Sequence, residues 1–337
     1  MTTARAQMPG DARMTTAAEL AERLRKESRV LAVSHEGPDG DALGCLSAFL
    51  LICGKLGVEA SAYIPGEAPF PPEYLFLARV DSILRGAFPA VEPGTAIYYF
   101  DCASVLRCDH QGSADDLTWI NVDHHPDNPC FGEFNLIDPA APSSTAILYD
   151  VCGAGGYVVD RDTATALYVG LVTDTGRFQY SNTTPGAHRM AAELQELGVD
   201  VGAVYRQVYE STPLSKLRLL ARALCHLEVR LGGALMVSWL DNDDFAQAGA
   251  DESHAEGIID TLRCIRGARV AALARERLRD GRVETKVSLR STDGSVDVAA
   301  VAHERGGGGH ARAAGFTSDE DVPAVLAWIE SQVAASL

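Results

Sequence analysis

Arg29–Asp41 reads RVLAVSHEGPDGD, and this stretch decides the fold. Its first six residues, Arg29–Ser34, are mostly apolar and rich in valine, the composition of a short buried strand. The strand stops at His35, where Gly37, Pro38 and Gly40 mark a turn that carries His35, Asp39 and Asp41. Aspartates two apart do not share a helix face, so a rigid turn is the arrangement that aims them together. The simpler reading is that Asp41 only caps the next helix. Ala42–Leu56 is largely apolar and stops near Gly57, which predicts a buried helix. Strand, polar turn and buried helix open an α/β unit, in which ligands bind outside the carboxyl ends of parallel strands.

Further along, Val58–Ile64, Thr95–Phe100 (TAIYYF) and Thr118–Val122 (TWINV) read as strands. The last two run straight into Asp101 and into Asp123-His124-His125. Ser143–Cys152, Thr163–Val172 and Ala187–Leu197 read as helices, and Thr16 with Glu19 forms a capping box for an earlier one. The character changes after Ser211-Thr-Pro213. A helix from Leu214 and strand Ala234–Leu240 precede helix Ala255–Ile265 and strands Arg269–Leu273 and Arg282–Leu289. Helix Val296–Ala302, a glycine run and helix Val322–Val333 finish the chain. The expected organisation is a disordered lead (1–15), a parallel-sheet domain (16–205), a linker (206–216) and a smaller α/β domain (217–337).

Bulk properties narrow the function. The 337 residues carry a formal net charge of −17, which gives no basic footprint for duplex DNA. Any phosphate ligand must be met by local cations, whether bound ions or a few placed Arg and Lys. No C-x-x-C pair occurs among the eight cysteines. Cys45, Cys53, Cys102, Cys152, Cys225 and Cys264 sit among apolar neighbours and read as buried free thiols. Neither a secretory signal nor an apolar run near the roughly 20 residues of a membrane span is visible. These readings favour a cytoplasmic protein with no membrane partner.

The strand-end clusters carry the chemistry. Asp101 ends an apolar strand, where a carboxylate is costly unless paired or metal-bound. Of the two histidines after Val122, one can ligate a metal while the other faces substrate, and Asp123 can orient a ring. Asp174 lies at a helix end beside Gly176, where its charge opposes the macrodipole and a cation would relieve it. Together His35, Asp39, Asp41, Asp101, His124 and Asp174 form a mixed oxygen and imidazole set without thiolate. Such a set suits two Mn²⁺ ions, with Mg²⁺ or Co²⁺ as substitutes. Paired metals are the usual means of hydrolysing phosphate esters.

In order and spacing, His35-x-x-Pro-Asp-x-Asp41, Asp101, Asp123-His-His125 and Thr173-Asp-Thr-Gly-Arg177 resemble the four motifs of the DHH phosphoesterase family. Gly306-Gly-Gly-Gly-His310-Ala-Arg-Ala-Ala-Gly315 resembles the signature loop of the DHH-associated domain. Length and domain order look most like the nanoRNase/pAp-phosphatase branch. The resemblance implies a metal cleft between the two domains, with His35, Asp39 and Asp101 on one ion and Asp41, Asp101, His124 and Asp174 on the other. It implies His125 at the scissile phosphate, beside Asp101 and Asp123 as catalytic residues. The implied substrates are short oligoribonucleotides and small nucleotides: nanoRNA, pApA, 3′-phosphoadenosine 5′-phosphate and cyclic di-AMP. A homodimer is left open.

The second domain reads as the grip on substrate. Gly307, Gly308 and Gly309 before His310 expose backbone N–H groups that can wrap a phosphate. Arg290, His303 and Arg312 are the side chains offered to it. The bland readings are a flexible linker and surface side chains. Three alternatives stand beside the leading one: a manganese inorganic pyrophosphatase, a non-catalytic nucleotide sensor, and a repair exonuclease of the RecJ type. The glycine-rich His310 loop argues against the first, the full ligand set against the second, and the net charge against the third.

Overall fold

The computed structural model describes residues 12–108, 117–279 and 282–337. Packing divides the chain between Ser211 and Thr212 into two units.

The first unit runs β1 (Arg13–Met14), α1 (Ala17–Leu24), β2 (Arg29–Val33), α2 (Gly40–Leu56), β3 (Glu59–Tyr63), β4 (Ala96–Phe100), β5 (Thr118–Asp123), β6 (Phe134–Ile137), α3 (Ser144–Gly155), α4 (Arg161–Asp174), α5 (Pro185–Glu196) and α6 (Val201–Tyr209). The six strands form one parallel sheet in the order β1-β6-β5-β4-β2-β3. Alternation along each strand feeds two cores. Val30, Ala32, Tyr98, Phe100, Ile120 and Val122 join the helices on one face. Leu31, Val33, Ile97, Tyr99 and Trp119 meet Cys102, Val105, Cys108 and Phe131 on the other.

β2 has β3 on one side and β4 on the other, so strand order reverses there. The chain leaves neighbouring strands in opposite directions and opens a crevice at their carboxyl ends, the general ligand position in such sheets. His35–Asp41 follows β2, and Asp101 follows β4.

Several expectations are corrected. The lead expected to be disordered through Thr15 is ordered in part: Arg13 and Met14 pair with β6, whose outer edge would otherwise leave main-chain groups unpaired. Arg13 also lies over the Phe134 ring, 4.0 Å from its centroid. Residues 1–11 of that lead are outside the described residues. α2 begins at Gly40, so Asp41 stands in a helical first turn and Asp39 is the N-cap, accepting from the N–H groups of Asp41 and Ala42. The link expected over 206–216 is shorter, because α6 continues to Tyr209 and the next helix starts at Leu214. Cys225 and Cys264 are exposed rather than buried, since each sits where a helix ends toward solvent.

The second unit runs α7 (Leu214–Cys225), β7 (Glu228–Arg230), β8 (Leu235–Leu240), α8 (Asn242–Ala248), α9 (Ile258–Arg263), β9 (Val270–Arg279), β10 (Arg282–Ser291), α10 (Val298–His303), β11 (Gly308–His310), β12 (Ala313–Ser318) and α11 (Val322–Ser336). Its sheet is mixed, in the order β11-β12-β10-β9-β8-β7, with β8 and β9 parallel. α10 and α11 close one face, and α7, α8 and α9 close the other. The helix expected over Ala255–Ile265 is shorter because Gly257, in the left-handed region, begins it afresh.

Candidate metal centre

Three β-strand ends and two helix ends, the start of α2 and the end of α4, build the site. Asp101 occupies the left-handed region at φ 55°, a conformation that costs a non-glycine residue about 1–2 kcal/mol. Its N–H donates to the Val122 carbonyl at 3.1 Å, which carries the β4–β5 ladder one step further and holds it. Its carboxylate meets two rings. His35 Nε2 lies 3.5 Å from Asp101 Oδ2, and His124 Nε2 lies 3.6 Å from Asp101 Oδ1. His124 Nε2 is also 3.6 Å from Asp174 Oδ2.

The other nitrogen of each ring faces main chain. His35 Nδ1 is 3.0 Å from the Glu36 carbonyl and His124 Nδ1 is 3.4 Å from that of Ala141. With Nδ1–H donated there, each Nε2 carries its lone pair toward a carboxylate oxygen. Two acceptors face each other unless the ring is protonated or a cation stands between them. For His35 in the metal-free state, protonation is the answer. Burial opposes charge on His35, but Asp101 outweighs it and pushes the ring up to about 9. Burial likewise works to raise Asp101, while His35, then His125 and His124, hold it well below the usual carboxylate range.

Asp41 is almost fully buried and faces the amino end of α3. Its Oδ2 accepts from Ser144 N at 2.6 Å, and its Oδ1 accepts from Thr145 N at 3.0 Å and Thr145 Oγ1 at 2.7 Å. A helix N-terminus is a ready partner for an anion. Burial and the nearby Asp101 nevertheless push Asp41 up to about 7. Burial, with the charges of Asp41 and Asp101, also raises Asp174. Four carboxylates crowded into one crevice therefore repel one another, and this oxygen and imidazole set fits divalent cations.

Asp123 has no solvent exposure and works as a clamp. Its Oδ1 accepts from His124 N at 2.8 Å and from His125 Nδ1 at 2.7 Å. Burial opposes charge on His125, but the bond to Asp123 outweighs it and pushes the ring up to about 10.

Two compact donor groups emerge among the described residues: His35, Asp39 and Asp101, and Asp101, Asp123, His124 and His125. Asp101 belongs to both. Asp174 joins through His124, while Asp41 stands apart with both oxygens engaged by α3.

Glycines set the spacing. A side chain on Gly44 would begin 2.6 Å from the Ala166 carbonyl, and one on Gly170 would begin 2.5 Å from Asp41 Oδ1. α2 and α4 therefore approach closely enough for their acidic ends to share the crevice.

Several supporting residues escape sequence reading. Asn128 Nδ2 donates to Asp123 Oδ2 at 2.6 Å and to the Cys102 carbonyl at 3.2 Å. Its Oδ1 accepts from Asn121 Nδ2 at 3.1 Å and Cys130 N at 2.8 Å. Asn182 Nδ2 donates to the Asp174 carbonyl at 3.2 Å and to its Oδ2 at 3.3 Å. Ser144 Oγ donates to Asp101 Oδ1 at 3.1 Å. The available signals were weak: an Asn three residues beyond the histidines, and a Ser-Ser-Thr run ahead of an apolar helix.

In the second unit, register gathers much of the expected substrate grip. Arg290 pairs with Ala313, and Ala313 pairs with His310. His303 Nε2 lies beside Gly308, and the Arg312 carbonyl accepts from Ser291 N at 2.9 Å. The glycine run is not the open loop expected. Gly308–His310 is a strand on β12, and a side chain on Gly307 would collide with the Gly315 carbonyl. Close strand packing accounts for part of that glycine content.

The family model described as "DHH family, N-terminal domain" matches residues 29–171, and that of the "DHHA1 domain" matches residues 232–335. A Thermus thermophilus protein named "Bifunctional oligoribonuclease and PAP phosphatase NrnA" is 31% identical over 86% of this chain and 84% of its own length. The Bacillus subtilis protein of that name is 24% identical over 93% and 97%. The crystal structure of an exopolyphosphatase-related protein from Bacteroides fragilis superposes with a TM-score of 0.85 at 21% identity, covering 95% of each chain.

Proposed function

The chain belongs to the DHH family and carries its DHHA1 domain, and on that premise we propose that it hydrolyses phosphate esters of short oligoribonucleotides and small nucleotides with two divalent cations, Mn²⁺ foremost. NanoRNA, pApA, 3′-phosphoadenosine 5′-phosphate and cyclic di-AMP are the substrates to test. The observation that carries the reading is Asp101 at the switch point, with His35 and His124 aimed at its two oxygens.

His35, Asp39 and Asp101 would hold one ion, and Asp41, Asp101, His124 and Asp174 the other. What the ions supply, when bound, is Lewis acidity toward a phosphoryl oxygen and a more acidic water. The chain supplies orientation and charge. Asp123 fixes His125 through Nδ1 and favours the cationic ring, whose Nε2–H would donate to the phosphoryl oxygens as negative charge grows there. Asn128 holds the second oxygen of Asp123, so the clamp does not rotate. Arg290, His303, Arg312 and the Gly307–His310 strand would take the part of the substrate that is not cleaved.

The test is incubation with Mn²⁺ and a matched panel of pApA, a five-nucleotide RNA, 3′-phosphoadenosine 5′-phosphate, cyclic di-AMP and pyrophosphate, with His124→Ala as control. AMP release from pApA that the variant lacks is the expected result. Turnover of pyrophosphate alone would move the assignment to a pyrophosphatase, and no turnover with any divalent metal would overturn the enzyme reading.

A further inference from the structure

We propose that Cys102 and Cys108 are a redox pair whose disulfide weakens metal binding at Asp101. The coupling to metal rests on the ligand assignment under the proposed function; the disulfide itself does not. Both thiols are free and fully buried. Cys102 Sγ lies 2.8 Å from Cys108 Sγ, against about 2.05 Å in a disulfide. The pair spans a short segment that leaves Asp101 and ends in the helical turn Val105–Cys108. Closing so short a loop costs little chain entropy. Both side chains pack with Tyr99, Val105, Trp119 and Phe131, a core that keeps the sulfurs together.

This segment touches the metal centre at both ends. Cys102 follows Asp101, which sits in the left-handed region. The Cys102 carbonyl accepts from Asn128, which also holds Asp123. At the other end the Arg107 carbonyl accepts from Glu36 N at 3.0 Å, and the Glu36 carbonyl faces His35 Nδ1. Bond formation draws the sulfurs together by about 0.8 Å and takes the Cys102 thiol off the Ser104 carbonyl, which it meets at 3.0 Å. In a close-packed core two side chains do not make that move alone, so part of it passes to the main chain at Asp101 and Arg107. Binding constellations tolerate displacements of only about 0.5 Å.

Neither sulfur is exposed, so the oxidant must be small, and hydrogen peroxide fits. One thiol reacts with peroxide to give a sulfenic acid and water. The other thiol then attacks that sulfur, forming the S–S bond and releasing a second water. Two thiols thus give up two protons and two electrons, and one peroxide becomes two waters. A dithiol reductant reverses the bond by exchange.

The experiment uses the full chain carrying Cys130→Ser, Cys225→Ser and Cys264→Ser, which remove the thiols that are not fully buried. It is treated with peroxide in EDTA, freed of both, and compared with the reduced form by peptide mass and by calorimetric titration with Mn²⁺. A peptide cross-linked through Cys102 and Cys108 should appear, and Mn²⁺ should bind roughly 10–100-fold more weakly, the loss usual when support around metal ligands is disturbed. Dithiothreitol should reverse both, as it would not reverse a sulfinic acid. Cys108→Ala on the same background should bind Mn²⁺ like the reduced form before and after peroxide; Cys108→Ser, closer in size, replaces it if the alanine variant melts early. Absence of the cross-linked peptide, or an equal effect of peroxide on the Cys108 variants, overturns the proposal. A cross-link that leaves Mn²⁺ affinity unchanged overturns the coupling. If the reduced form binds no Mn²⁺, the metal assignment fails and the coupling with it, while the peptide mass still decides the disulfide.

Discussion

At the residue scale the site depends on groups that never meet a metal. Asn128 ties Asp123 to the main chain after Asp101, so it couples the histidine pair to the shared carboxylate. Asn128→Ala should lower turnover by ~10–100-fold, as loss of a supporting hydrogen bond does elsewhere, with little change in melting temperature. Steady-state kinetics beside a thermal melt checks this. The protonation of the metal-free site gives a second prediction. Asp41 titrates near 7 in the fold, above an ordinary carboxyl, so its contribution is whole in acid and lost as pH rises through about 7. His35, raised to about 9, and His125, raised to about 10, lose theirs as pH climbs further. Asp101 has the opposite sign, but its depressed value puts its titration in strong acid. The chelated protein should therefore melt at lower temperature at pH 8 than at pH 6, and added Mn²⁺ should raise the melting temperature more at pH 8. A metal response independent of pH would contradict the assignment of these groups. The ligand-type residues were legible because each interrupts an apolar run. Asn128, Ser144 and Asn182 were not, because polar residues in loops are ordinary until a structure shows what they hold.

At the scale of elements, the contact between α2 and α4 has no room for a methyl group. Gly170→Ala would push a carbon against Asp41 Oδ1 and the Thr145 side chain, costing about 1–3 kcal/mol. Denaturant unfolding should show that loss, and the variant should also bind Mn²⁺ less tightly because the carboxylate is displaced. Strands β2, β4 and β5 were readable as apolar runs closed by acidic groups, and the helices by their caps. β11 was not, since glycine carries no strand signal and the strand forms through main-chain pairing with β12. β1 is two residues long and exists only because β6 offers it an edge.

At the scale of the whole molecule, the hydrophobic clusters separate by unit: two lie wholly before Ser211 and two wholly after it. A fragment spanning 212–337 should fold by itself, with a cooperative thermal transition and a dispersed amide NMR spectrum. Failure to do so would mean that its cores are insufficient alone. The first unit has a different history built into its sheet. Its first strand pairs only with its last, more than a hundred residues later. A ribosome adding ~5–20 residues per second leaves Arg13 and Met14 waiting roughly ten seconds before their partner strand is made. The growing chain must therefore carry an unsealed sheet edge until β6 emerges.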